Sequence, residues 1–203
     1  DRSLLGKNLN NLPKRIKVRL LEDNYECWFE FSKVLGNAFE KESWMPHLLS
    51  FKEITQSLPN VLNWIENASK LSGNYLWGGC IGPDFDCSGL VQASFASQNI
   101  WLPRDAYQQE KFCKTLQFSL DDSQGLFLGD LLFFGSVDKC NHVGVYKGDG
   151  LFWHSSGLTN GRNGIGIDRL FPNDSDSISA YYKSHFRSVG RVVSCYDGNS
   201  LLL

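Results

Sequence analysis

Three side chains in this chain have the types that thiol chemistry needs: Cys87, within Asp86-Cys87-Ser88-Gly89-Leu90-Val91, and His142 and His154 far downstream. A thiolate can attack a carbonyl carbon, one imidazole can carry the proton, and a second ring can fix the first in its reactive tautomer. The elements that would hold them are legible nearby. Leu90, Val91, Phe95 and Ala96 recur as one side of a helix that starts at Cys87 and stops near Asn99. Asp86 is a good N-cap type, and Gly89 leaves room for another element beside the first turn. A sulfur placed there faces unpaired N–H groups and the positive end of the macrodipole, which predicts a thiol pKa below the ordinary value. Taken alone, Cys87 fits equally well as a small buried apolar residue.

The base must come from four histidines, His47, His142, His154 and His185. His142-Val143-Gly144-Val145-Tyr146 alternates as a strand, Lys147-Gly148-Asp149-Gly150 is a turn, and Leu151-Phe152-Trp153-His154-Ser155 returns. His142 and His154 lie six residues either side of Gly148, which predicts that they oppose each other across a hairpin. Each histidine by itself fits an ordinary core or surface role; the opposed pair beside a helix-capping cysteine is what points to a relay. A zinc site of Cys87, Cys140, His142 and His154 competes. It lacks the two closely spaced ligand pairs usual for structural zinc, so no metal and no cofactor are expected. The six cysteines contain no C-x-x-C pair, so a disulfide framework is not expected either.

Six segments taken together resemble the NlpC/p60 family of cell-wall cysteine peptidases. They are Tyr75-Leu76-Trp77-Gly78-Gly79, Asp86-Cys87-Ser88-Gly89-Leu90, Leu102-Pro103-Arg104-Asp105, Gly129-Asp130-Leu131-Leu132-Phe133-Phe134, His142-Val143-Gly144-Val145-Tyr146 and His154-Ser155-Ser156. They stand in family order across about residues 59 to 195, and their combination is specific where no single one is. The resemblance implies an α+β fold with a papain-like catalytic domain. It implies Cys87 as nucleophile, His142 as general base and acid, and His154 as the orienting third member. It also implies a substrate, the γ-D-glutamyl bond to a diamino acid in peptidoglycan stem peptides such as L-Ala-γ-D-Glu-diaminopimelate.

Ile16-Lys17-Val18-Arg19-Leu20 and Trp28-Phe29-Glu30-Phe31, joined by Glu22-Asp23-Asn24-Tyr25, read as two strands and a turn. They resemble the end of a bacterial SH3-like barrel, incomplete within residues 1–45, followed by a linker at 46–58 and a catalytic domain at 59–203. The helix after the linker is expected to start at Leu58-Pro59-Asn60. That arrangement is similar to the cyanobacterial-type enzymes, and it implies that Tyr25 closes one end of the pocket. It further implies that Asp105 receives the ammonium of a free N-terminal L-alanine. Arg104, Asp86, Ser88 and Trp77 are expected at the substrate, Tyr75 at the oxyanion, and Glu22 and Asp23 near the same ammonium. Each has a plainer reading: Tyr25 as a surface aromatic, Asp86 and Asp105 as helix caps, Arg104 as an acid's partner, Tyr75 and Trp77 as packing. Among the many other aromatics, Trp64, Phe95, Phe133 and Phe134 read as core.

A chain of 203 residues, 42% hydrophobic, with net charge −2 can build a large core and has no basic excess for nucleic acid. Apolar runs fall well short of about 20 residues, so no membrane span is expected, and Asp1-Arg2-Ser3-Leu4-Leu5-Gly6-Lys7 is too polar for a signal peptide. Cytoplasm is the default expectation, with a periplasmic location open if the start is truncated. Oligomeric state and the diamino acid accepted are left open. Two other functions compete at this point, a catalytically inactive muropeptide-binding module and a thiol-dependent acyltransferase.

Overall fold

The structure is a computed structural model describing residues 14–34, 36–39, 47–120, 125–159, 161–171 and 176–198. The polar start at Asp1–Lys7 and part of the 1–45 segment lie outside the described residues.

Two short strands, β1 (Arg15–Arg19) and β2 (Glu26–Glu30), pair antiparallel and lead into one helical turn, α1 (Phe31–Val34). A barrel is not shown among the described residues. Trp28 and Phe29 are 63% and 44% exposed, and among the described residues no second layer of sheet covers this ribbon. Its turn is anchored instead to the main domain: Gln92 Nε2 donates to Asp23 Oδ2 at 2.7 Å, and Asn24 bonds the Tyr196 side chain.

The long helix α2 (Phe51–Ser69) begins seven residues before the expected start at Leu58, so much of the expected 46–58 linker is helical. The reason is a capping box: the Ser50 N–H donates to Glu53 Oε2 at 2.8 Å, and the Glu53 N–H donates to Ser50 Oγ at 3.4 Å. Pro59, read from sequence as a helix start, sits inside the helix. Ile54, Val61, Ile65 and Ala68 form its buried stripe.

A small hairpin of β3 (Cys80–Ile81) and β4 (Asp84–Phe85) leads into α3 (Cys87–Ala96). The latter starts at Cys87 as predicted, and its chain turns left-handed at Asn99, with φ of 60°. Next come α4 (Ala106–Phe112), β5 (Lys114–Leu116), β6 (Leu131–Gly135), β7 (Cys140–Gly148), β8 (Leu151–Ser156), β9 (Gly164–Arg169), α5 (Ser177–Ser184) and β10 (Phe186–Arg191). Six strands form one antiparallel sheet in the order β5-β10-β6-β7-β8-β9.

Strand alternation sorts the sheet's side chains into two cores. Leu131, Phe133, Val143, Val145 and Trp153 pack with Ile54, Ile65, Leu90, Val91 and Phe95 from α2 and α3. Leu132, Phe134, Tyr146 and Phe152 pack with Tyr182 of α5 on the other face. Phe95, Phe133 and Phe134 are fully buried, and partly buried Trp64 packs edge-on against Phe85. Full burial of one such aromatic stabilises by roughly 1.5–3 kcal/mol, so these faces hold the sheet rigidly against its helices.

Candidate active site

Cys87 occupies the first position of α3, where the Asp86 side chain caps the helix by accepting from the Gly89 N–H at 2.7 Å. A Cβ at position 89 would collide with the Gly79 carbonyl, so the glycine lets the 75–85 segment press against the helix start. The sulfur lies against β7, 4.0 Å from the Asn141 carbonyl oxygen and bonded by the Val143 backbone. Those two residues bracket His142. No hydrogen bond joins the sulfur to the His142 ring among the described residues.

The predicted hairpin forms, with a different register. Val145 pairs with Trp153 and Tyr146 with Phe152, and a bulge before Gly148 shifts the symmetry of the turn. The next step places Gly144, not His142, against His154, so the two rings meet on a diagonal. Gly144 is required there: a Cβ would stand 2.7 Å from the Phe152 ring and 2.9 Å from the Trp153 carbonyl oxygen. The rings still touch, with His142 Nε2 2.8 Å from His154 Nδ1 and planes 88° apart. Tyr182 stacks at 4.7 Å from the His142 ring and meets the His154 ring edge-on at 4.6 Å.

The relay continues on β9 by a second diagonal. His154 pairs with Gly166, and Asp168, two residues on, stands 2.6 Å from His154 Nε2. Asp168 is 1% exposed, accepts from Ser179 Oγ at 3.1 Å and is gripped by both arms of Arg162. Burial pushes the Asp168 carboxyl up, but hydrogen bonds from His154 and Arg162 outweigh it and hold the group below its usual range. An ionised Asp168 needs a proton on His154 Nε2. His154 Nδ1 then accepts from His142 Nε2, which leaves the lone pair of His142 Nδ1 for chemistry.

The thiol departs from expectation. Burial pushes Cys87 up to about 11, and the neighbouring Asp86 carboxylate adds to the rise against opposing backbone bonds from Val143 and Ser88. Enclosure at 5% exposure overrides the helix N-terminus. Burial likewise drives His142 well below its ordinary value, with His154 adding, and it lowers His154 despite Asp168. Burial thus favours the uncharged form of the thiol and of both imidazoles.

These shifts set a pH window for stability. Below 6.5 the unfolded chain binds protons that the buried His142 and His154 refuse, so stability falls as pH drops. Above 9.0 the unfolded Cys87 loses a proton that the folded chain keeps, so stability falls as pH rises. Urea melts at about pH 5, 8 and 10.5 are expected to give the highest midpoint at the middle value; a midpoint still climbing at the top would contradict the assignment.

In front of the sulfur, a cavity of about 260 Å³ is lined by Tyr25, Tyr75, Trp77, Cys87, Asp105 and Lys139, among others. A second cavity of about 220 Å³ opens beyond His142 and shares Tyr75 and Asn141 with the first. Burial pushes the Tyr75 hydroxyl up to about 12, with Cys87 contributing, so it stays protonated as a donor facing both cavities. Trp77 is 86% exposed at the mouth, and the turn after β1 brings Tyr25 to the rim. Glu22 is not among the lining residues; Asp23 is taken by Gln92.

Asp86, Ser88 and Arg104 line the same cavity and are tied to one another. Arg104 donates to Asp86 Oδ1 at 3.1 Å, Asp86 Oδ2 at 2.7 Å and Ser88 Oγ at 2.9 Å, and all three residues are buried. The remaining capacity of Asp86 goes to the Gly78 and Gly89 N–H groups. Asp105, by contrast, lines the cavity with a half-buried carboxyl that burial raises above its usual range, against the pull of Arg104.

His154 spends both ring nitrogens on His142 and Asp168, and Cys140 Sγ donates to the His142 carbonyl at 3.5 Å. The four side chains of the zinc alternative therefore do not converge as donors. Sequence reasoning missed Asp168, Arg162, Ser179 and Tyr182. The faint signal was Gly164-Ile165-Gly166-Ile167-Asp168, where an acid ends a strand face otherwise made of glycine.

A helix-borne thiol against a strand-borne imidazole relay, on an antiparallel sheet, defines a papain-like cysteine hydrolase domain. Residues 72–191 match the NlpC/P60 family, and the chain belongs to it. It is 37% identical over 134 residues to the bifunctional muramidase/DL-endopeptidase CwlT of Bacillus subtilis, covering 63% of this chain and 35% of that protein. It is 34% identical over 132 residues to the γ-D-glutamyl-L-lysine dipeptidyl-peptidase of the same organism, covering 63% and 41%. This chain spans well under two thirds of the length of either relative. In fold it resembles the peptidoglycan hydrolase RipB of Mycobacterium tuberculosis, with TM-score 0.51, 20% identity, and coverage of 80% of this chain and 78% of that one.

Proposed function

We propose that this protein is a cysteine endopeptidase that hydrolyses the γ-D-glutamyl–diamino acid bond of peptidoglycan stem peptides carrying a free N-terminal L-alanine. The observation that carries the reading is Cys87 seated at the backbone of Asn141 and Val143, with the His142–His154–Asp168 relay behind it. His142 Nδ1 takes the thiol proton and sulfur attacks the γ-carbonyl. The Tyr75 hydroxyl and the Cys87 N–H donate to the oxyanion, an arrangement that contributes roughly 3 kcal/mol in comparable sites. Imidazolium then protonates the departing amine, which assigns the diamino acid to the cavity beyond His142 and the acyl part to the cavity before Cys87. Water, activated by the same ring, releases the acyl group. We also read the β1–β2 ribbon as part of an SH3-like module of the cyanobacterial type, delivering Tyr25 to the acyl-side rim.

Incubation with L-Ala-γ-D-Glu-diaminopimelate, followed by mass analysis, is expected to yield L-Ala-γ-D-Glu and free diamino acid. An intact peptide sinks the proposal, and a product joined to an added amine would make the protein an acyltransferase. The half-buried Asp105 adds a second expectation. N-acetylating the substrate's alanine removes the ammonium and strands that carboxylate, so kcat/KM should fall about tenfold to a hundredfold. Equal cleavage of both peptides would show that the terminus is bound elsewhere.

A further inference from the structure

The acyl-side cavity carries four charged side chains, Asp86, Arg104, Asp105 and Lys139. Asp86 and Arg104 cancel, since the guanidinium grips both carboxylate oxygens and both residues are buried. Asp105 and Lys139 are left as the charges offered to a ligand. Lys139 makes no ion pair among the described residues, and its ammonium lies over the Tyr107 ring, 5.6 Å from the centroid. It is close enough to Asp105 to pull that carboxyl's pKa down.

A cavity meant for a lone cation gains nothing from a lysine on its rim, because that charge opposes the ligand's. One negative and one positive group on a shared cavity complement a ligand carrying both signs. We infer that Lys139 is a specificity-determining residue: it pairs with a carboxylate on the acyl part of the substrate while Asp105 holds the ammonium, so the site selects a zwitterionic acyl group. The inference rests on the reading proposed above, in which that acyl part is L-Ala-γ-D-Glu. There the free carboxylate is the glutamyl α-carboxylate, left unreacted by the γ-linkage. Arg104, already committed to Asp86, is poorly placed to supply this charge.

The test compares L-Ala-γ-D-Glu-diaminopimelate with the same peptide bearing an α-carboxamide, on the wild type and on Lys139→Met. The wild type should prefer the carboxylate roughly threefold to tenfold in kcat/KM, a preference that weakens with salt, as expected of a rim charge. Lys139→Met should slow on the carboxylate peptide alone, bringing the two rates to within about twofold. The lysine side chain is exposed, and unchanged alkylation of Cys87 by iodoacetamide in the variant would show the cavity intact. An indifferent wild type, or a variant that keeps the preference, overturns the role of Lys139 and leaves the peptidase reading standing. Failure of the wild type to cut either peptide overturns both.

Discussion

Cys87→Ala is expected to lower the hydrolysis of L-Ala-γ-D-Glu-diaminopimelate by at least about four orders of magnitude, while binding of the uncut peptide stays measurable by calorimetry. The sulfur of Cys87 lines the cavity at the start of α3, and alanine removes it with little change in volume. The helix start survives, because Asp86 caps it through the Gly89 N–H without using the cysteine side chain. Loss of turnover with retained binding would therefore locate the defect in chemistry. A variant that turns over within about tenfold of the wild type would mean that another group attacks.

The second large effect belongs to a residue that no motif pointed to. Asp168→Asn is expected to reduce kcat by about two to four orders of magnitude with little change in KM. The carboxylate accepts from His154 Nε2 and thereby fixes which nitrogen of each ring carries a proton. An asparagine amide can present a donor to that nitrogen, moving the proton to His154 Nδ1 and reversing the bond to His142. His142 Nδ1 would then carry the proton and cease to be a base. Nitrogen NMR of labelled histidine distinguishes this from general damage: His154 should change tautomer while circular dichroism and the melting transition remain cooperative. Unchanged tautomers with full activity would reduce Asp168 to an ion-pair partner of Arg162.

Much of this site was readable in the chain because its signals are local. Asp86, Cys87 and Gly89 fall within one turn, so the cap, the candidate nucleophile and the close approach follow from side-chain type and a helix period. The hairpin carrying His142 and His154 was equally visible, since the turn at Lys147–Gly150 sits between two alternating strands. Its register was not. A bulge between Tyr146 and Gly148, which the turn residues do not announce, shifts the histidines from opposed to diagonal. The true start of α2 is set by the capping box at Ser50 and Glu53, and Pro59, a helix-start signal, lies inside the helix instead.

The electrostatic state of the site was beyond any local reading. A cysteine at a helix N-terminus predicts an acidic thiol. The folded chain enfolds it with Asp86 beside it, and desolvation, which depends on every element around the sulfur, raises the pKa instead. Arg104 and Asp86 line the cavity, and only the tertiary structure shows that they also hold each other by a bidentate bond. The sequence by itself determined the helix that starts at Cys87, the hairpin that carries His142 and His154, and a net charge without a basic excess, because these rest on residue type and short periods. Tertiary structure alone decided the register, the tautomers through Asp168, the burial that raises the thiol pKa and the uncancelled charges of Asp105 and Lys139. Those depend on distances between segments far apart in the chain, which no spacing along it encodes.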